Sequence, residues 1–521
     1  MDKTYNPLEW EDKIYKDWEE KELMKASNSS SSKPFSIILP PPNANADLHL
    51  GHAMYVYEDI MVRFHKLIGF EVLWLPGADH AGFETQYVFE KHLAKQDKSR
   101  FDYKRDDLYR EIWSFVQKNR GNMENQLRKL GFFLDWSRKK FTLDPDTVSL
   151  VYKTFKKMFD EGLVYRENRL VNFCTHCGTS FSDLEVKHVE RIDPLYYLKY
   201  GPFVLATVRP ETKFGDTALA VNPKDKRYKK WIGKEIEVEG LIGVFKMRVV
   251  GDEAIDPKFG TGVAKVTPAH DFTDFEIAKR HNLEFKEVIN KEGRLTAIAG
   301  HYAGLKVNKA REMVASDLKK KGLLVKVDES YSHTVSTCYK CGRVLEPLLM
   351  PQWYVKIKPL AKLAIEAINK KEVVFIPVRF KKAAVRWLTN FYDWNISRQI
   401  VWGIRIPAYK CGSRGKWFVS IEEPKNCQVC GKNDFMQDTD TFDTWFSSAQ
   451  WPFTTLKTTK KGDFDFFYPT SVMETGYDIL PWWVCRMLMI GIYATGKVPF
   501  NKVYLHGLVR DSKGQKMSKS K

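Results

Sequence analysis

The chain has 521 residues, 43% of them hydrophobic, and a formal net charge of +18 at pH 7. That length predicts two to four domains with ordinary cores, and the lack of any run approaching about 20 apolar residues argues against a membrane span, so no membrane partner is expected. The excess of Lys and Arg favours a polyanionic partner, and eight cysteines, six of them in three C-x-x-C pairs, point to metal in a reducing compartment rather than to disulfides.

Residues 1–24 read as an amphipathic helix. They mix Asp and Glu with Lys and carry Trp10 and Trp18, which suits neither a secretory signal nor an acid-poor transit peptide, so a cytoplasmic location is expected. A flexible Ser-rich link, 26–32, leads to a buried strand over 35–39, which Pro40, Pro41 and Pro42 end because proline cannot donate to a ladder. Asp47 then offers an N-cap, and Leu50, Ala53, Met54, Tyr57, Ile60, Met61, Phe64, Leu67 and Ile68 recur at helical spacing up to Gly69. His49 and His52 lie three apart at the first turn, beside unpaired backbone N–H groups, a place suited to an anion; Gly51 lets a ligand approach the backbone. A second strand over 71–75 implies a right-handed parallel crossover. Its exit loop, 76–82, therefore opens on the sheet edge that holds the histidines, where Asp79 can share their ligand. Helical patterns follow over 101–130 and 146–162.

Cys174-Thr-His-Cys177-Gly and Cys338-Tyr-Lys-Cys341-Gly are two knuckle halves that can share one Zn²⁺. If they do, the segment between them leaves and returns at one point, as an inserted domain does. Its stretches 203–208, 235–238 and 245–250 alternate like strands, predicting a mainly β domain. Cys427 and Cys430, with Cys411, suggest a second site short of one thiolate. The 440–448 and 469–478 segments then lead to a last strand over 503–509 and a basic loop over 511–521. Cys485, in an apolar helix, reads as core.

The His49-Leu50-Gly51-His52 turn resembles the HIGH signature of the class I aminoacyl-tRNA synthetases, and Lys516-Met517-Ser518-Lys519-Ser520 matches their KMSKS signature. The resemblance covers essentially the whole chain. It is closest to the valyl branch, on the stretches 77–86, 397–407 and 267–271, with Leu50 and Phe83-Glu84 as departures. It implies an α/β fold: a Rossmann-type doubly wound parallel sheet split by a large, mainly β editing insertion, with zinc-knuckle modules. The expected boundaries are 1–34 for the N-terminal helix and linker, 35–190 for the first Rossmann half with a knuckle, 191–335 for the editing insertion, 336–439 for the second knuckle, connecting helices and a possible second zinc module, and 440–521 for the second Rossmann half with the KMSKS loop.

The same resemblance implies valine activation by ATP, with Mg²⁺, followed by transfer to the 3′ end of valine tRNA. His49, His52, Lys516 and Lys519 would be catalytic, and Asn43, Gly51, His49, His52 and Lys519 would bind ATP. Valine would meet Pro41, Asp79, Trp445, Ile479 and Trp483. Arg209, Thr212, Lys265, Thr267, Asp271 and Asp274 would line an editing site for threonine, which an apolar pocket rejects only about 10²-fold; the valyl enzyme is a standard illustration of that limit. Zn²⁺ would sit on Cys174, Cys177, Cys338 and Cys341, with Cys411, Cys427 and Cys430 as the second set. A monomer is expected, as is a helical anticodon-binding domain beyond Lys521. Isoleucyl or leucyl specificity is the near alternative. A metabolite nucleotidyltransferase would be shorter and lack the insertion, and a non-catalytic tRNA-binding module would not need His49, His52, Asp79 and Lys519. A purely structural reading of Asp271 is a helix cap before Phe275, Ile277 and Ala278.

Overall fold

The computed structural model describes residues 4–29 and 31–517. The backbone forms two compact units, Met1–Tyr165 with Trp353–Lys521, and Arg166–Gln352. The first begins with α1 (Pro7–Glu20), started by Pro7 at a position where its missing N–H is harmless. β1 (Pro34–Ile38) and β2 (Glu71–Leu75) pair in parallel, Ile38 opposite Leu75, with α2 (Val56–Leu67) between them. α3 (Gly82–Ala94), α4 (Arg105–Lys129) and α5 (Pro145–Asp160) follow.

Two expectations about α2 are corrected. The helix does not start from Asp47: His49 caps a 3₁₀ turn, Leu50–Tyr55, and the α-helix begins only at Val56. Nor does its apolar stripe face the core. Ile60, Phe64, Leu67 and Ile68 are exposed, whereas Tyr55, Glu58 and Val62 are buried and His65 stacks on Phe35 at 3.6 Å between centroids. The periodicity was genuine, but the sheet accepts the face that carries Glu58 and His65 because both find partners there.

The second unit contains β3 (Leu195–Tyr200), β4 (Phe203–Thr207), β5 (Ala218–Val221), β6 (Glu235–Glu239), β7 (Val244–Gly251), β8 (Val263–Val266), α6 (Phe272–His281), α7 (Val307–Lys320) and β9 (Leu324–Asp328). They build a three-stranded sheet, β9-β3-β4, and a four-stranded sheet, β6-β7-β5-β8. The tight β3–β4 hairpin turns at Gly201, at φ +55 with Glu237 O only 2.7 Å from where a Cβ would sit. Leu198, Leu205, Leu219, Val221, Val238, Met247 and Val249 share one core. An antiparallel ribbon pairs Val186–Ile192 with Ser332–Cys338.

The first unit resumes with α8 (Ile357–Asn369), β10 (Val374–Ile376), α9 (Arg379–Asn390), β11 (Thr470–Gly476), α10 (Cys485–Thr495) and β12 (Phe500–His506). Its sheet has the order β10-β12-β11-β1-β2, and every pair in it is parallel. Alternation along β2 shows that both faces are covered: Val72 and Trp74 join a core with Tyr55 and Val62, while Leu73 and Leu75 join a core with α4, α8 and α10 residues. All five strands thus end on one edge, where Gly476 of β11 stands opposite His506 of β12. Among the described residues no helix is long and apolar enough to cross a membrane.

Candidate active site

The turn after β1 is built by its two histidines. Gly51 N–H donates to His49 Nδ1 and His49 N–H donates to His52 Nδ1, both at 2.9 Å, a reciprocal cap. His49, accepting at Nδ1, is thereby held as the tautomer protonated at Nε2, a donor suited to phosphate oxygens, while His52 Nδ1 lies both beside His49 N–H and 3.2 Å from His49 O. Gly51 is required: a Cβ there would lie 2.5 Å from His49 Cε1. A cavity of about 190 Å³ opens beside this turn, lined by His49, Gly51, His52, Tyr55, Glu474, Gly476, Asp478, Ile479, His506, Lys516 and Met517, among others. Lys516 pairs with Asp478, and Arg510 Nη2 donates to Tyr477 Oη at 2.9 Å, so the last loop is tied to the end of β11. Lys519 lies outside the described residues.

Asp79 stands next to Asn43 through backbone pairing: Asp79 N–H donates to Pro42 O at 3.0 Å and Ala44 N–H to Asp79 O at 2.9 Å. Its carboxylate accepts from Ala81 N–H, Thr142 Oγ1 and Ser448 Oγ, each at 3.1 Å. Burial opposes the charge, yet hydrogen bonds from His80, Ala81 and Thr142 prevail and hold the carboxyl below its ordinary value. Trp483 Nε1 donates to the backbone carbonyl of Ser448 at 3.2 Å. Trp483 is buried, Trp445 and Ile479 are half-buried, and Pro41, Asn43, Asp79, Trp445 and Trp483 lie outside the lining of the 190 Å³ cavity. Thr142 and Ser448 were not singled out from the sequence; no local pattern marks a serine 369 positions from its aspartate.

In the second unit, Cys174, Cys177, Cys338 and Cys341 place their sulfurs within 4.8 Å of one another, with Cys174–Cys341 at 3.5 Å and Cys177–Cys338 at 4.0 Å. Tetrahedral ligation at a Zn–S distance of about 2.3 Å needs sulfurs roughly 3.8 Å apart, so the set fits Zn²⁺. Gly178 at φ +67 and Gly342 at φ +71 close the two knuckles by donating to Cys174 O and Cys338 O. Cys411, Cys427 and Cys430 also converge within 4.8 Å in the first unit. There the Cys411 turn keeps the same backbone closure, Gly415 N–H to Cys411 O at 2.8 Å, although Arg414 occupies the position of a second thiol.

A polar cluster lies at the end of β8. Lys265 Nζ donates to Thr212 Oγ1 at 2.9 Å, Thr267 Oγ1 at 2.5 Å and Asp216 Oδ1 at 3.1 Å. Asp216 also accepts from Tyr200 Oη and Thr267 Oγ1, both at 2.6 Å; the sequence reading missed it because nothing in Gly215-Asp216 marks a shared acceptor. Asp274 accepts from Thr267 N–H at 2.7 Å, and burial, helped by Asp271, raises its carboxyl to about 8. Asp271 is engaged as the cap of α6, accepting from Thr273 and Asp274 N–H. Arg209 is paired with Glu346 at 2.6 Å and Glu211 at 3.2 Å. His270 is a neutral packing group, held down to about 3 by burial and by Arg209 while its Nε2 accepts from Val288 N–H.

Comparison with known proteins bears on this arrangement. The chain is similar to the valine--tRNA ligase of Petrotoga mobilis, at 46% identity over 527 residues, 99% of this chain and 60% of that protein. It is also similar to the valine--tRNA ligase of Clostridium acetobutylicum, at 44% over 528 residues, 100% of this chain and 60% of that protein. The chain therefore spans about 60% of the length of the curated relatives it matches. Among solved structures, LeuRS of Agrobacterium radiobacter K84, in a ternary complex with tRNA and LeuAMS, shares the fold at a TM-score of 0.53 and 17% identity, covering 99% of this chain and 70% of that one. The family model of tRNA synthetases class I (I, L, M and V) matches residues 13–521, a span that holds the histidine-capped turn, the parallel sheet and the Lys516 loop together, and the chain belongs to that family.

Proposed function

We propose that this chain carries the catalytic and editing chemistry of a valine--tRNA ligase. The observation that supports it most is that similarity to valine--tRNA ligases runs through 99–100% of the chain, both signature motifs included. In this reading valine's carboxylate attacks the α-phosphate of ATP, and the terminal ribose hydroxyl of tRNA then attacks the mixed anhydride. Such chemistry needs positioning and charge neutralisation rather than a protein nucleophile. His49 and His52 donate from Nε2 to phosphate oxygens, and Gly51 lets the phosphates approach the backbone. Asp79, kept ionised by its donors, pairs with the valine ammonium. Pro41, Trp445, Ile479 and Trp483 shape the apolar side. Lys519 neutralises the departing pyrophosphate, while Lys516 anchors its loop to Asp478. Mg²⁺, entering with ATP, adds charge neutralisation at the phosphates.

The Lys265, Thr212, Thr267 and Asp274 cluster supports hydrolysis of threonyl-tRNA, because it offers convergent hydroxyls and a carboxyl to a substrate hydroxyl. Protonated Asp274 suits a hydroxyl rather than an ammonium. Asp271, occupied as a cap, and Arg209, paired twice, contribute by holding the site's shape. The four thiols of the second unit fit a structural Zn²⁺, which would supply folding energy rather than chemistry. The test is valine-dependent exchange of pyrophosphate into ATP. Lys519→Ala should lower the exchange by about 2.7–4 kcal/mol of transition-state stabilisation, by analogy with loss of one oxyanion donor. An unchanged rate would sink the assignment of Lys519.

A further inference from the structure

Glu58 and Glu474 are buried acids that the reaction above leaves without a role. Glu58 is fully buried on α2, and Glu474, at 1% exposure on β11, lines the cavity beside His49 and His52. Trp74 Nε1 donates to Glu58 Oε2 at 2.6 Å, but Oε1 of each acid has no donor. The two carboxyl groups stand within hydrogen-bonding reach of each other. Two acceptors face to face in a dry site need a proton between them, since two like charges there cannot both persist.

The surroundings offer no other source of compensation. Tyr55, from the histidine turn, donates its hydroxyl to Pro40 O at 2.7 Å, and Tyr504 faces Glu474 from β12. His506 Nε2 lies 3.4 Å from Glu474 Oε1; its Nδ1 donates to Gly507 O, and burial lowers its basicity, so it presents a lone pair rather than a cation. Among the described residues no Lys or Arg forms an ion pair with either acid. Burial is the main cause that raises both carboxyls above the ordinary carboxylate range, with their mutual repulsion adding to it for Glu58.

We propose that Glu58 and Glu474 share one proton and act as a positioning pair for the nucleotide: their O–H···O bond ties α2, which issues from the His49–His52 turn, to β11, which ends at Gly476. The pair also keeps one negative charge away from the wall of a cavity meant for a polyanion. Loss of that proton turns an attraction between the two elements into repulsion and adds a charge beside the phosphates. The inference rests on the reading of the cavity as an ATP site.

The experiment measures the KM for ATP in valine-dependent pyrophosphate exchange between pH 7 and 9, for the parent chain and Glu58→Gln. KM of the parent should rise on the order of threefold to tenfold. The rise should be nearly absent in Glu58→Gln, whose amide supplies the bridging hydrogen at every pH. Parallel profiles overturn the proposal. Should Glu58→Gln lose its native circular dichroism, Glu474→Gln is read in the same way. A second measurement does not need activity: the infrared difference between the parent and E58Q/E474Q at pH 7 should contain the stretch of a protonated carboxyl. Its absence refutes the shared proton even if exchange is normal. Its presence in a protein that exchanges no pyrophosphate supports the pair and refutes the ATP reading instead.

Discussion

Asp79 shows how one carboxylate is kept charged inside a protein. His80, Ala81 and Thr142 hold it below its ordinary value against burial, and Ser448, from a third part of the chain, donates to its other oxygen. An ionised, fixed acid is the partner an amino acid's ammonium requires. Asp79→Asn should therefore raise the KM for valine by the equivalent of about 2–5 kcal/mol while leaving the KM for ATP nearly unchanged, as expected when one partner of a buried charge pair is removed. Equal increases for both substrates in pyrophosphate exchange would count against the role. Asp79 itself was legible from the loop after a predicted strand. Its donors Thr142 and Ser448, 63 and 369 positions away, were not.

At the scale of elements, buried ion pairs fasten segments that packing alone would leave loose. Arg138 is almost fully buried between Asp135 of its own turn at 2.6 Å and Asp463, at the start of a short helix, at 2.9 Å, and its Nη1 also donates to Ala26 O, joining the link after α1 to both. Its replacement leaves two buried carboxylates without their countercharge, each keeping only neutral donors such as Ala26 and Ser137 N–H on Asp135 and Lys460 N–H on Asp463. Arg138→Ala should lower stability by about 3–5 kcal/mol, measured by denaturant unfolding; a loss under about 1 kcal/mol would show that these segments are held by packing. The knuckles are a second fastening. Freshly purified protein should contain at least one zinc per chain, and Cys338→Ser should lose one equivalent together with thermal stability. Protein free of zinc would retire the four-thiol site, and a count of two would add the Cys411, Cys427 and Cys430 set. The His49 turn teaches the opposite lesson about sequence patterns, since a 3₁₀ turn capped by a ring nitrogen has no signal comparable to an aspartate before an apolar run.

Across the whole molecule the proposed chemistries fall in different units, Asp79 with the histidines in one and Asp274 with Lys265 in the other. Asp274→Ala should leave valine activation intact while threonyl-tRNA accumulates; clearance of threonyl-tRNA at the parental rate would show that Asp274 has no part in editing. The same residue gives a pH test. Its folded-state value, raised to about 8, lies above the ordinary 3.8, so the native state holds a proton that the unfolded chain releases. Its contribution is present in full below pH 4 and is lost as pH rises towards 8. Parent protein should accordingly lose more stability than Asp274→Asn between pH 5 and 8, and identical slopes in thermal melts would remove the shift.

The sequence by itself determined the parallel strand pair around the histidine turn, the four-cysteine set and the β character of the segment between the knuckles, because each rests on local period, proline and glycine chemistry or fixed ligand spacing. Tertiary structure decided which side of α2 is buried, which hydroxyls hold Asp79 and Asp216, and that Glu58 meets Glu474. Those outcomes depend on desolvation and on donors brought together across hundreds of residues, and a polar group's burial is settled only when the whole sheet has closed around it.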